Sequence, residues 1–459
     1  MSQSRSLNRW MLAAATMLVA LLAGWTCASA HAQSYGELGK PFFGTGKGAF
    51  KEELDDHAFG VDPTTSDVYV GDQPGANEYR IQDFNSSGTT LLGSVSIKFE
   101  NSEGAEGIEG IAVDPVEKRI YLLVMYEREG KEGSPKFVDP ELPAAGTLLA
   151  FSTEPSGGKL VPAVGTKTEG KLEGVLVNKA TFNAQSEVVK NPAASALIEP
   201  AGIAVDPSTH DVIVLGKEEQ CDKKSAECEE QLFAAAQQVT PSGALAKRWV
   251  DTGECFEGEE GAASCFKETH KGESKEEEEE ESADQPGYPA SLIVTASGRV
   301  LVDVTTGNEI WEIPKAFESG KAPTDAPKPV SIVSGETPEL HNPLQKLLFF
   351  PGAPEPVEGG ALSYVHESGE GANEGRIYQM AEVEGVAGEH INPGVLVLKL
   401  GESGTAGVVG WTGGQNKVEQ EAISGGGCWI SGFSQPMVAA GEKSALFVFD
   451  PNHFPANAH

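Results

Sequence analysis

One phrase returns along this chain, and it restricts the possible folds more than any other feature. Gly60-Val61-Asp62-Pro63 leads through Thr64 to Asp67 into Val68-Tyr69-Val70. It returns as Ile111-Ala112-Val113-Asp114-Pro115 before Arg119-Ile120-Tyr121-Leu122-Leu123, and as Ile203-Ala204-Val205-Asp206-Pro207 before Asp211-Val212-Ile213-Val214. Each copy is a β-branched run, a tight turn and a second β-branched run. Such a segment reads as a hairpin, because Asp-Pro followed by Ser, Thr or Asp favours reversal of the chain. The Asp is expected to cap its own turn rather than to act as a catalytic acid. Weaker copies follow at Leu292–Val302, at Ala361–Tyr378 and at Met437–Phe449.

Further strand-like runs follow several hairpins. In the first unit they are Tyr79–Phe84 and Leu91–Ile97; in the fourth, Glu309–Ile313 and Pro329–Val333; in the fifth, Val395–Leu398 and Val408–Trp411. Four strands per unit, repeated about six times, is the pattern of a β-propeller, in which each blade buries its faces against its neighbours. A β-sandwich would not require one phrase at the start of each unit. The expectation is an all-β, six-bladed propeller of four-stranded antiparallel blades.

Val61-Asp62-Pro63, Val68-Tyr69-Val70-Gly71-Asp72, Asn77 and Arg80-Ile81-Gln82-Asp83-Phe84 together resemble an NHL repeat. The second and third units keep the opening half of that pattern, and the fourth keeps Asp303, Asn308 and Ile310. The resemblance implies a propeller of the NHL kind, in the style of exported bacterial proteins. It implies no activity, since propellers host many unrelated functions.

The first residues read as an address. Arg5 and Arg9 precede the apolar run Trp10–Gly24, and Ala28-Ser29-Ala30 and Ala30-His31-Ala32 offer cleavage points. This order is that of a secretory signal, expected to span 1–32, with one propeller domain over 33–459. The run is shorter than the roughly 20 residues that span a bilayer, so no membrane span is expected in the mature chain. The surroundings of Cys27 match a lipid-attachment signal poorly. The last hairpin ends near the C-terminus, so the final blade lacks outer strands. Tyr35–Phe43 is expected to pair there and close the ring, since native sheets avoid open edges.

The formal net charge is −34. Such a field repels nucleic acid and anionic lipid and favours solubility, so a nucleic-acid partner is excluded as a working idea. Part of the acid lies in a low-complexity insertion at about 252–286, where Glu276–Glu281 is unbroken and reads as a solvated spacer. Export permits disulfides. Cys221–Cys228 and Cys255–Cys265 are candidate local bridges, with Cys428 left over, although spacing cannot fix the pairing. A zinc site on these thiols is the rival reading, but no C-x-x-C pair occurs.

The surplus chain is expected in loops at one end of the blades: 127–145, 166–199, 217–231, 252–286, 334–359, 381–393 and 413–434. Turns at the other end are expected to stay short. Insertions confined to one face often mark a binding face. No G-x-S-x-G, H-E-x-x-H or phosphate-binding loop occurs. What remains is positional: residues just before each innermost strand should ring the mouth of a central channel. Asp56, His57, Glu109 and Tyr288 stand there as candidate ligand-binding residues, with His57 and Glu109 as candidate ligands of a divalent metal. Their counterparts Pro200, Ala201, Ala290 and Pro436 cannot ligate. The expected function is therefore an exported, monomeric scaffold without a resident cofactor, binding a protein or cell-surface glycan through the inserted loops. The alternative is a metal-dependent, lactonase-like hydrolase or lyase acting at the channel mouth.

Overall fold

A computed structural model describes residues 49–50, 53–75, 78–98, 105–126, 147–169, 172–177, 197–221, 230–250, 289–304, 310–313, 328–329, 331–333, 354–356, 362–366, 375–383, 394–400, 405–413, 437–440 and 446–449. These residues form strands, which group into six sheets built almost wholly of antiparallel pairs. No helix among them is long and apolar enough to cross a membrane.

The first sheet is β1 (Glu53–Val61), β2 (Val68–Gly75), β3 (Glu78–Phe84) and β4 (Leu91–Lys98), paired in chain order. The second holds β5 (Ala105–Asp114), β6 (Arg119–Tyr126), β7 (Thr147–Ser152), β8 (Lys167–Glu169) and β9 (Leu172–Val177), with β9 lying between β7 and β8. The third is β10 (Leu197–Val205), β11 (Val212–Cys221), β12 (Glu230–Val239) and β13 (Leu245–Val250). The fourth is β14 (Pro289–Val294), β15 (Val300–Val304), β16 (Ile310–Ile313) and β17 (Lys328–Pro329). The fifth gathers β18 (Ser331–Val333), β19 (Pro354–Pro356), β20 (Leu362–His366), β21 (Gly375–Val383), β22 (Gly394–Leu400) and β23 (Thr405–Gly413). The sixth is the hairpin of β24 (Met437–Ala440) and β25 (Leu446–Phe449).

The first hairpin strands of successive sheets are neighbours. β1 lies against β5, β5 against β10, β10 against β14, β14 against β20, β20 against β24, and β24 against β1. Sheets stacked face to face around their first strands make a propeller-like, all-β arrangement. The core lies between sheets. Ala58, Tyr69 and Ile81 of the first pack with Ile108, Ile120 and Leu149 of the second. Leu123 and Leu148 of the second pack with Val212 and Val214 of the third, and Trp249 of the third packs with Val302 and Trp311 of the fourth.

Glycines set the distance between sheets. A Cβ on Gly60 would lie 2.8 Å from Cγ2 of Ile111, one on Gly110 2.7 Å from Cγ2 of Ile203, and one on Gly202 3.1 Å from Cδ2 of Leu292. Each apolar side chain points back to the preceding sheet; at Gly60 and Gly110 it fills a place where a methyl would not fit without a shift, and at Gly202 the fit is tight.

The turns behave as their residues demand. Asp62 Oδ1 accepts the amides of Thr64 (2.7 Å) and Thr65 (3.1 Å), and Asp114 Oδ1 accepts those of Val116 (2.9 Å) and Glu117 (3.0 Å). Asp206 Oδ1 accepts that of Ser208 at 2.8 Å. The left-handed turn position falls at Ser66, Lys118, His210 and Gly298.

Several elements differ from the sequence reading. Residues 166–199 contain β8, β9 and the start of β10, so the outer strand of the second sheet lies in what reads as a loop. Strand also extends into 217–221, 230–231 and 381–383, because backbone pairing continues past the last apolar residue, and 354–356 forms a separate strand, β19, paired with β21. Of the described residues of Pro329–Val333, Pro329 belongs to the fourth sheet, whereas Ser331–Val333 runs parallel to β23 in the fifth. Among the described residues, the turn end also carries one long connection, 153–166. Tyr35–Phe43, 127–145, 252–286 and 413–434 lie outside the described residues, except for Gly413 at the end of β23.

Candidate functional site

The expected channel-mouth positions share one structural device. In β1 the register passes from Leu54 opposite Asp72 to Phe59 opposite Val70, so Asp56 and His57 lie in a bulge. In β5 the extra residue is Glu109, between Ile108 opposite Val124 and Gly110 opposite Leu123. The bulge in β10 spans Glu199–Ala201, and the bulge in β14 holds Ala290. Bulges re-aim side chains and interrupt pairing, and they recur at rims and beside active sites. The irregularity is therefore a repeated feature of the first strands, at the end from which 127–146, 178–196 and 251–288 depart. Its sequence signal is faint: isolated glycines in strand context, such as Gly107 and Gly110 around Glu109.

Glu109 is half-buried. The backbone of Asp56 and His57 is in place, but their side chains lie outside the described part, as do Tyr288 and Pro436. Among the described residues, no three His, Cys, Asp or Glu side chains are arranged to hold a metal. Cys221 ends β11 opposite Glu230, at the mouth of the hairpin whose loop contains Cys228. Cys228, Cys255, Cys265 and Cys428 lie outside the described residues.

Polar chemistry that the sequence reading did not single out is concentrated within and between sheets. Arg80 Nε donates to Asp72 Oδ1 at 2.9 Å and Nη2 donates to the carbonyl of Ala49 at 2.9 Å, while Phe50 meets Phe84 edge-on at 5.8 Å between ring centres. These contacts seat the chain arriving at β1. Arg299 donates from Nε and Nη2 to Glu312 at 3.0 and 2.8 Å. Between the second and third sheets, Arg119 Nη1 donates to the carbonyl of Pro241 at 2.6 Å, and His210 Nδ1 stands 3.1 Å from Asp114 Oδ2.

The first sheet holds the most perturbed acid. Asp83 is fully buried, and burial pushes its carboxyl up to about 8, with Asp67 and then Asp62 adding like-charge repulsion. Burial, then the same acids led by Asp83, also raises the Tyr69 hydroxyl. Tyr121 is pushed up to about 12, chiefly by burial. None of these groups lies at the bulged rim.

The class defined by sheets and rim is the all-β, propeller-like one. No family model matches the chain, and no curated protein matches it. Among solved structures it is similar to a streptogramin B lyase (10% identity, 87% of this chain and 92% of that one, TM-score 0.32). It is similar also to an α-L-arabinofuranosidase from Fusarium graminearum (12% identity, 77% and 78%, TM-score 0.37). A third is the Dos1 propeller, at 10% identity over 73% of this chain, TM-score 0.30; the chain spans 59% of that protein's length.

Proposed function

We propose that this protein is an exported, six-bladed propeller of the NHL kind that serves as a binding scaffold, meeting a protein or a cell-surface glycan with the loops at its bulged end. The observation that carries this reading is the asymmetry of the two ends. The connections 127–146, 178–196, 251–288 and 414–436 leave from the bulged end, whereas six of the turns at the other end are short and capped by Asp62, Asn85, Asp114, Asp206, Thr240 and Thr295, with 153–166 and 314–327 the longer connections there. The circuit of first strands supports six blades, and β24 lying against β1 and the seating of Ala49 and Phe50 on the first sheet support closure by Tyr35–Phe43. The signal-like order of residues 1–32 supports secretion. No metal or other resident cofactor is part of this reading, and Cys221–Cys228 and Cys255–Cys265 bridges belong to the oxidising compartment it assumes.

The test pairs two measurements on the secreted mature protein. Elemental analysis beside His57→Ala addresses the rim: one divalent metal per chain, lost in the variant, would overturn the scaffold reading in favour of a lactonase-like hydrolase or lyase. Binding to an array of extracellular glycans, compared with a variant whose 254–284 segment is shortened, addresses the loops. Signal lost with the loop is the expected result; identical profiles would remove the loops from the proposal.

A further inference from the structure

A row of paired residues crosses the first sheet: Gly60 on β1, Tyr69 on β2, Asp83 on β3 and Gly93 on β4. Paired residues of antiparallel strands share a face, and this face is turned to the second sheet. Ile111 fills the space above Gly60. Gly93 is covered from the other side: a Cβ there would lie 2.7 Å from Cβ of Pro155, in the hairpin that follows β7. That hairpin is bound to the first sheet by its backbone, since the Ser94 amide donates to the Gly158 carbonyl (3.2 Å) and the Leu160 amide donates to the Ser94 carbonyl (3.0 Å). Asp83 is sealed between these two covers, 0% exposed, with neither carboxylate oxygen hydrogen-bonded.

We propose that Asp83 is an acid-tightened latch between the first two sheets: as the neutral acid it allows the 153–160 hairpin to close over the first sheet, and its ionisation favours lifting that hairpin. The charged surroundings support this. On its own sheet Asp83 faces Tyr69, Asp67 and Asp62, none of which offers positive charge. The covering hairpin brings Glu154 and Lys159; Glu154 pairs with Lys118 of the second sheet's turn, and Lys159 is exposed. The body of the second sheet presents Ile108, Ile111, Ile120 and Phe151. A carboxylate there would be a buried, uncompensated charge.

The sign follows from linkage. The carboxyl is held at about 8 when covered and returns towards 3.8 when water reaches it, so opening releases a proton at every pH between these values. Opening should grow more favourable by about tenfold per pH unit across that window and level off above it.

The test is amide hydrogen exchange at Ser94 and Leu160, corrected for intrinsic rates. Protection is expected to fall roughly a hundredfold from pH 5 to pH 7 in the wild type and to stay level in Asp83→Asn. Equal protection at the two pH values, or the same fall in Asp83→Asn, would overturn the latch. If Asp83→Asn does not fold, infrared spectroscopy of the wild type decides. The carbonyl band of a buried neutral carboxylic acid at pH 6, lost by pH 9, supports the proposal, and its absence at pH 6 refutes it.

Discussion

Replacing Gly110 by Ala is the most direct probe of how the sheets are held together. The added methyl would lie 2.7 Å from Cγ2 of Ile203, where carbon atoms normally settle at about 3.5–4.0 Å. Ile203 is β-branched and stiff at χ1, so Cγ2 cannot swing aside without leaving its rotamer. The strain must be met by parting β5 from β10, and overpacking of this kind costs about 1–3 kcal/mol. Gly110 is not in the left-handed region, so Ala also restricts the unfolded chain and returns about 0.4–1 kcal/mol. A net loss of roughly 1–2 kcal/mol is expected. Urea unfolding followed by tryptophan fluorescence reads it, since Trp249 and Trp311 are buried between the third and fourth sheets. Gly75→Ala is the control, with nothing within 4 Å of its Cβ. The decisive comparison adds Ile203→Ala, which removes the clashing methyl. The double variant should be more stable than the sum of the single effects by about 1 kcal/mol or more. Additivity within about 0.5 kcal/mol would show that the contact does not set the spacing of these sheets.

Other outcomes follow from the same contacts. Asp114→Ala strips the acceptor from the Val116 and Glu117 amides and should cost about 1–2 kcal/mol in urea unfolding, whereas Asp114→Asn, which keeps an acceptor, should cost less. Arg80→Leu leaves the fully buried Asp72 without its guanidinium and should destabilise by roughly 3–5 kcal/mol, read by the same assay. Deleting Gln33–Gly46 should lower the melting temperature sharply in scanning calorimetry, and an unchanged value would refute closure of the ring by the N-terminal segment.

Much of this architecture was legible because it is repeated. The Val-Asp-Pro phrase predicts the β1–β2, β5–β6 and β10–β11 hairpins, and the capping role of its Asp follows from turn chemistry alone. The outer strands were harder to read. Leu172–Val177 and Ser331–Val333 carry no turn phrase, and which sheet they join depends on tertiary neighbours rather than on their own residues. The rim was legible as a position but not as a bulge, since one extra residue in β5 leaves only a glycine beside Glu109 to mark it. Asp83 reads in sequence as the polar end of an alternating strand. Its burial comes from the second sheet and from the hairpin that lays Pro155, more than seventy residues away, over its cross-strand neighbour Gly93.

The contacts of Ile203 with Gly110 and of Leu292 with Gly202 have a direction. The second and third units each offer a projecting side chain, Ile111 or Ile203, to the unit behind and a vacancy, Gly110 or Gly202, to the unit ahead. These two copies therefore carry both halves of one joint. A joint of this head-to-tail kind says nothing about when to stop; it closes only when the rotation per step divides the circle. Where such a joint is repeated, the angle between sheets rather than any single contact sets where the ring closes.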